Sequence, residues 1–240
     1  MMGKIFVVAT PIGNLKDMTL RGLEALKEAD FILAEDTRVA KKLLSHYQIS
    51  KPLVSFFEHS PLAKVRNLVK LLREGQSLAL LSDAGTPNLS DPGWGLIKQA
   101  LDELGEGVKI EVLPGPSALT ALISLSHFPL SEFVFLGFPP AKKGREKFFK
   151  SAAAESKPII LFESTHRILK TLAQLDRLCP EREIILAKEL TKKFEKVWRG
   201  RVGNVWKQIS ELPAVELRGE FVMAINRPEQ SELYPNDPKN

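Results

Sequence analysis

The 240-residue sequence holds one cysteine, Cys179, two tyrosines and four histidines. A lone cysteine excludes a disulfide framework, a CxxC redox pair and a multi-cysteine zinc site. It also suits a reducing compartment. His46, His59 and His127 stand isolated, so no metal site is expected. Long apolar runs are missing too. The longest uncharged stretch, Val112 to Ser131, is broken by Pro114, Gly115, Pro116 and Pro129 and reads as buried loop plus helix, not a membrane span. Ile5–Ala9 is too short for a signal-peptide core and runs straight into Thr10-Pro11. The expected location is cytoplasmic, with no membrane partner. Neither G-x-G-x-x-G nor a Walker A pattern occurs, and Gly93-Trp94-Gly95 lacks the third glycine, so a ligand gripped by its pyrophosphate is not indicated.

What is present has ordinary globular proportions, 44% hydrophobic and 26% charged, which excludes wholesale disorder. The length admits two small domains or one large α/β domain. The net charge of +5 is unevenly distributed. Residues 1–113 hold 14 basic and 14 acidic residues, whereas Lys142 to Arg201 hold 16 and 8. A basic stretch of this size is the usual footprint of a polyanion, most often nucleic acid. The alternative is a solvated lysine-rich surface.

The first half alternates short apolar runs with helical patterns. Strands are expected at Lys4–Ala9, Phe31–Ala34, Leu53–Phe56, Leu78–Leu81 and Lys109–Val112. Helices are expected over Thr19–Ala29 with Thr19 as N-cap, near Val39–His46, over Leu62–Arg73 after a Ser60-Pro61 start, and over Gly93–Leu104. This alternation predicts a mainly parallel sheet covered on both faces. After Pro114-Gly115-Pro116, a helix at Leu119–Leu125 leads into strands at Glu132–Leu136, Ile159–Phe162, Ile184–Ala187, Lys196–Arg199 and Glu220–Ile225. Helices near Arg145–Ala154, Ile168–Leu178 and Val202–Ser210 fill the gaps, and the short connections predict a mixed sheet. The expectation is therefore an α/β protein of two domains, 1–116 and 117–228, followed by a frayed tail at 229–240.

Ligands of open α/β sheets bind outside the carboxyl ends of strands. Four strand-end loops here are rich in proline, glycine and polar residues: Thr10–Leu15, Glu35–Arg38, Ser82–Gly93 and Pro114–Ala118. Each alone reads as an ordinary turn. Four in one domain are harder to dismiss.

The stretches VATPIGNLKDMTLRGLEAL, FILAEDTR, LLSDAGTPNLSDPG, LPGPSALTAL, FLGFPPAKKGRE, LFESTHRI and AKELTKKFEKVWRG closely resemble the ribosomal RNA small-subunit methyltransferase I family, within the tetrapyrrole methylase superfamily. The resemblance runs from Lys4 to Asn226. It implies two α/β domains with a cofactor cleft between them, usually as a homodimer. It implies S-adenosylmethionine as methyl donor, and the ribose 2′-hydroxyl of a cytidine in the decoding region of 16S rRNA as acceptor. It carries the donor contacts to Pro11, to Asp83, Ala84, Gly85 and Pro87, to Pro116, Ser117 and Ala118, to Leu136, Gly137 and Phe138, and to Ala187 and Leu190. The segment Phe57-Glu58-His59-Ser60-Pro61 departs from the family's histidine- and asparagine-rich pattern, which argues against a substrate role for His59.

A ribose hydroxyl attacks poorly until its proton is removed or shared, so a base or a stabilising cation is expected. Candidates fall in three clusters: Glu35 to Arg38, Glu163 to Arg167, and Lys188 to Lys192. Lys188 follows an apolar strand, where burial can make a lysine less basic. Glu35 or Asp36 is the carboxylate alternative, and Glu163 is a further candidate. Ser164 or Thr165 is expected to cap the following helix. RNA contacts are expected from Arg38, Lys142, Lys143, Arg145, Arg167, Lys192 and Lys193, with Phe56, Phe57, Trp94 and Trp198 available for base stacking. Two rival readings remain: a small-molecule methylase of the same superfamily, and a non-catalytic RNA-binding assembly factor.

Overall fold

The computed structural model describes residues 2–228; the tail expectation for 229–240 lies outside the described residues. The chain divides into two compact units between Ser117 and Ala118.

In the first unit, five strands form one sheet: β1 (Lys4–Val8), β2 (Phe31–Ala34), β3 (Leu53–Ser55), β4 (Leu78–Leu81) and β5 (Lys109–Leu113), ordered β3-β2-β4-β1-β5. Every pairing is parallel. The helices are α1 (Leu20–Glu28), α2 (Thr37–His46), α3 (Leu62–Arg73) and α4 (Trp94–Leu104). Alternate strand residues enter two cores. Phe6, Val8, Ile32, Ala79 and Leu81 pack with Leu26 of α1 and Leu43 of α2. Ile5, Val7, Leu33, Leu78 and Leu80 pack with Leu72 of α3 and Leu96 of α4. Burial on both faces is why these strands read as continuous apolar runs and not as alternating ones.

The helix starts divide by chemistry. Thr19 caps α1 through Gly22 N–H at 3.1 Å, as its sequence predicts. The α3 start differs from expectation. Pro61 itself occupies the cap position, and Ser60 turns its hydroxyl back to accept from Phe57 N–H at 3.0 Å.

The second unit contains α5 (Ala118–Ser124), β6 (Val134–Gly137), α6 (Arg145–Ala153), β7 (Ile159–Ser164), α7 (Ile168–Leu178), β8 (Glu183–Lys188), β9 (Lys196–Arg201), α8 (Val202–Ser210) and β10 (Glu220–Ile225). Its sheet runs β6-β7-β10-β8-β9. The β6–β7 pair is parallel and the remaining pairs are antiparallel, so the sheet is mixed. Phe149, Leu172 and Val205 from α6, α7 and α8 share one core with Leu161, Leu186 and Met223. α5 lies against β10.

Candidate functional site

The order β2-β4-β1-β5 makes neighbours of four strands whose following loops carry the polar sequence. Hydrogen bonds then stitch those loops together. Thr10 and Gly85 exchange backbone hydrogen bonds at 2.8 and 3.0 Å. The Thr10 hydroxyl donates to Ser82 O at 3.1 Å, and the Ser82 hydroxyl donates to Gly85 O at 2.7 Å. Asp36 N–H donates to Asp83 Oδ1 at 3.0 Å, and the Thr86 hydroxyl donates to Pro116 O at 3.3 Å. Gly85 needs its freedom, because its φ is +87° and a Cβ would meet Ile12 Cγ2 at 3.4 Å. Gly85, Pro87 and Ser117 are buried in this ring, Pro11, Asp83, Pro116 and Ala118 are half-buried, and Ala84 is exposed.

Its charge is one-sided. Asp91, half-buried, is pushed up to about 7 by desolvation and then by the charges of Glu35 and Asp83. Glu35, on the exposed rim, is raised by partial desolvation, then by Asp83 and Glu58. Asp91 lies in a turn where Asn88 and Ser90 adopt φ of +70° and +67°. The sequence places Asp91 in one of the four candidate strand-end loops, at an Asp-Pro step, but gives it no role of its own.

Asp36 is a different case. It is the N-cap of α2, accepting Arg38 N–H at 2.8 Å and the Arg38 side chain at 2.6 Å. The hydrogen bonds from the Arg38 side chain and backbone hold its carboxyl at about 2. So stable an anion is a poor proton acceptor, which removes Asp36 from the candidate bases. The same pairing occupies Arg38.

In the second unit, Lys188 closes β8 and is only 4% exposed, paired across the sheet to Phe221 and Lys196. Its Nζ makes no hydrogen bond or ion pair among the described residues, and its charge is felt by Glu189 and Glu216. The turn after it is strained, with Glu189 at φ +54° and Thr191 at +66° on either side of buried Leu190. Ala187 is fully buried in β8. On β6, Leu136 is half-buried, Gly137 has φ of +62° beside a β-bulge, and Phe138 is exposed with its ring 5.5 Å from Phe162.

Three expectations about this unit need correction. Arg145 is not a surface cation, being 4% exposed. Its guanidinium donates to Gln174 Oε1 at 2.7 Å, to Pro140 O at 3.1 Å and to the Thr171 hydroxyl at 2.7 Å. It therefore has nothing to offer a phosphate. Glu163, whose side chain is wholly buried, is 2.8 Å from Arg167 Nε and 3.8 Å from Arg145 Nη1, and accepts the Thr171 hydroxyl at 2.6 Å. A carboxylate enclosed by two guanidinium groups is a structural counter-ion and not a free base. Arg167 also donates to Pro139 O at 2.9 Å, so both arginines fix the proline segment ahead of Lys142 and Lys143. Nor do Ser164 and Thr165 cap α7. Arg167 occupies that position, and the Thr165 hydroxyl both donates to Gly219 O and accepts from Gly219 N–H, each at 2.6 Å.

Lys142, Lys143 and Lys193 are exposed, whereas Lys192 is bound to Glu189 and Glu220 at 2.9 and 2.8 Å. Of the stacking candidates, Phe56 is buried and Trp198 packs against the second core, which leaves Phe57 and Trp94 at the surface. Among the described residues, no group of histidines, cysteines and carboxylates could hold a metal ion. No helix there is long and apolar enough to cross a membrane.

Residues 4–205 match the family model for Tetrapyrrole (Corrin/Porphyrin) Methylases. The Ribosomal RNA small subunit methyltransferase I of Thermotoga maritima is 41% identical over 225 residues, covering 94% of this chain and 99% of that one. The protein of the same name from Neisseria meningitidis serogroup B is 43% identical, covering 97% and 78%. The chain belongs to the ribosomal RNA small subunit methyltransferase I branch of the tetrapyrrole methylases. Solved structures agree on the fold. Diphthine synthase superimposes with a TM-score of 0.69 at 16% identity, covering 94% of this chain and 90% of that one. A uroporphyrin-III C-methyl transferase from Thermus thermophilus, in complex with S-adenyl homocysteine, gives 0.63 at 19% identity over 92% and 97%.

Proposed function

We infer that this protein transfers a methyl group from S-adenosylmethionine to the ribose 2′-hydroxyl of a cytidine in the decoding region of 16S rRNA. The observation that carries the donor half is the stitched ring of loops in the first unit, with Glu35, Asp83 and Asp91 crowded beside it. When bound, S-adenosylmethionine supplies an electrophilic methyl on a positively charged sulfur. Carboxylates that repel one another are relieved by such a cation, so the donor set fits. Gly85, Pro87, Pro116 and Ser117 offer backbone and small side chains to a flat ring, which suits a ligand that carries no phosphate.

The acceptor half draws support from the names of the relatives, from the basic excess of residues 142–201 and from Lys188. In this reading Lys188 Nζ, as the neutral amine, orients the acceptor hydroxyl and takes its proton while the oxygen bonds the methyl carbon, the methyl–sulfur bond breaks and S-adenosylhomocysteine leaves. Strand pairing on both sides holds Lys188 in place, and positioning supplies much of the rate of such a transfer. With Asp36 and Glu163 committed elsewhere, Glu35 is the remaining carboxylate alternative. Lys142 and Lys143, both exposed, meet the phosphates, whereas Arg167 is engaged by Glu163 and Pro139.

The test is mass mapping of 16S nucleotides after incubating unmethylated small subunits with this protein and S-adenosylmethionine. One 2′-O-methylcytidine in the decoding region is the expected product. Methylation of a tetrapyrrole with no modified nucleotide would replace this reading with the small-molecule one, and no donor binding at all would favour an assembly factor.

A further inference from the structure

The turn joining β8 to β9, residues 189–195, is locked from within. Glu189 N–H donates to Glu220 O at 2.9 Å, and Glu189 Oε1 accepts from Glu220 N–H at 3.0 Å and from the Lys192 ammonium at 2.9 Å. Thr191 N–H donates to Glu195 Oε2 at 2.6 Å, and Glu195 N–H donates to Lys192 O at 3.1 Å. Gly219 makes room for this, since a Cβ there would lie 2.5 Å from Glu189 Cγ. Two non-glycine residues accept left-handed backbone to complete the turn.

That closure consumes Glu189, Lys192 and Glu195. Nearby, Lys196 is paired with Glu216, Arg201 with Glu181, and Arg199 with Leu125 O. Lys193 and Phe194 are left at the tip. Phe194 is 66% exposed, more than any other phenylalanine among the described exposed apolar side chains, and the Lys193 ammonium sits 5.5 Å from its ring centroid. A singly exposed apolar side chain is ordinary in itself; what sets this one apart is the strained turn that presents it and the cation held against its face.

We propose that Phe194 is a stacking platform for an unpaired RNA base, with Lys193 contacting the adjoining phosphate. This rests on the RNA-methylating function inferred above. The turn begins at the residue after Lys188, so a nucleotide whose ribose reaches Lys188 has its neighbours close to this tip. Bases taken out of their own stack need an aromatic face, and phenylalanine supplies one regardless of sequence. Lys193, exposed beside the ring and in no ion pair among the described residues, favours a nucleic acid over an apolar protein surface.

The experiment compares wild type, Phe194→Ala, Phe194→Tyr and Lys193→Gln in steady-state methylation of small subunits. It also measures binding of a fluorescein-labelled oligocytidylate, single-stranded and annealed to its complement, across a salt series. Phe194→Ala should raise the KM for subunits and the Kd for the single strand by roughly tenfold or more. It should leave donor affinity, duplex binding and the salt slope unchanged, and Phe194→Tyr should recover near-wild-type values. Lys193→Gln should lower the single-strand salt slope by about 0.7. An effect of Phe194→Ala below twofold overturns the proposal, as does a shift in sedimentation showing that the ring contacts a second copy of the chain. If wild type binds the single strand through Phe194 but methylates no subunit, the functional reading fails and the stacking platform stands.

Discussion

The Thr171 hydroxyl stands between Arg145 and Glu163, accepting from Arg145 Nη2 at 2.7 Å and donating to Glu163 Oε2 at 2.6 Å. A helix residue thus relays between a buried cation and a buried anion that approach no closer than 3.8 Å. Removing one charge leaves the others uncompensated. Glu163→Ala should cost about 3–5 kcal/mol of stability, read from denaturant midpoints. Thr171→Val, which keeps the shape and loses the relay, should cost about 1–3 kcal/mol. Retention of wild-type stability by Glu163→Ala would return Glu163 to the list of candidate bases.

Asp91 should make stability, and donor binding in the proposed site, depend on pH. Its ordinary value is 3.8 and its folded value is about 7, so between these the folded chain holds a proton that the unfolded chain has lost. Stability therefore falls as pH rises through that window. Asp91→Asn should melt higher than wild type above pH 7 and match it below 3.8. Calorimetry should show wild-type donor affinity rising as pH climbs through about 7, and a flat profile for the variant.

Asp36 has the opposite sign. Its folded value of about 2 lies below the ordinary 3.8, so its stabilising share is complete above 3.8 and lost as pH falls toward 2. Asp36→Ala should lower the thermal midpoint at neutral pH, converge with wild type in acid, and leave turnover intact.

Lys188→Ala should slow single-turnover methyl transfer by about 10²–10⁴-fold, the usual range for a lost proton acceptor. Donor affinity should stay near wild type. Unchanged turnover would move the role to Glu35.

Lys142→Gln with Lys143→Gln should weaken single-stranded RNA binding and lower its salt slope by roughly 1.4, two charges' worth. Arg145→Gln should instead lower the melting temperature, because that side chain is spent inside the fold.

The sheets and the stitched loops were legible because apolar runs and Pro/Gly punctuation are local signals. Lys142-Lys143-Gly144-Arg145 misled because consecutive charges read as one exposed loop. Arg145, however, opens α6, and with Phe149 and Ala152 it falls on the helix's buried face at helical spacing. Counting that face would have placed it inward; its partners Glu163 and Thr171 lie too far along the chain to be read from sequence. Thr165 failed as a cap because Gly219, more than fifty residues on, claims its hydroxyl. Phe194 went unnoticed because Lys-Lys-Phe was read as charge alone.

The first sheet is completed in an order unlike its layout. β1 is synthesised first, yet its two neighbours, β4 and β5, are the last strands of the unit to be made. A nascent chain therefore carries the sticky segment KIFVV with both edges bare until most of the unit has left the ribosome. Anything that stalls translation between β3 and β4 exposes that segment longest, which makes this interval the point where the newborn protein most needs a chaperone.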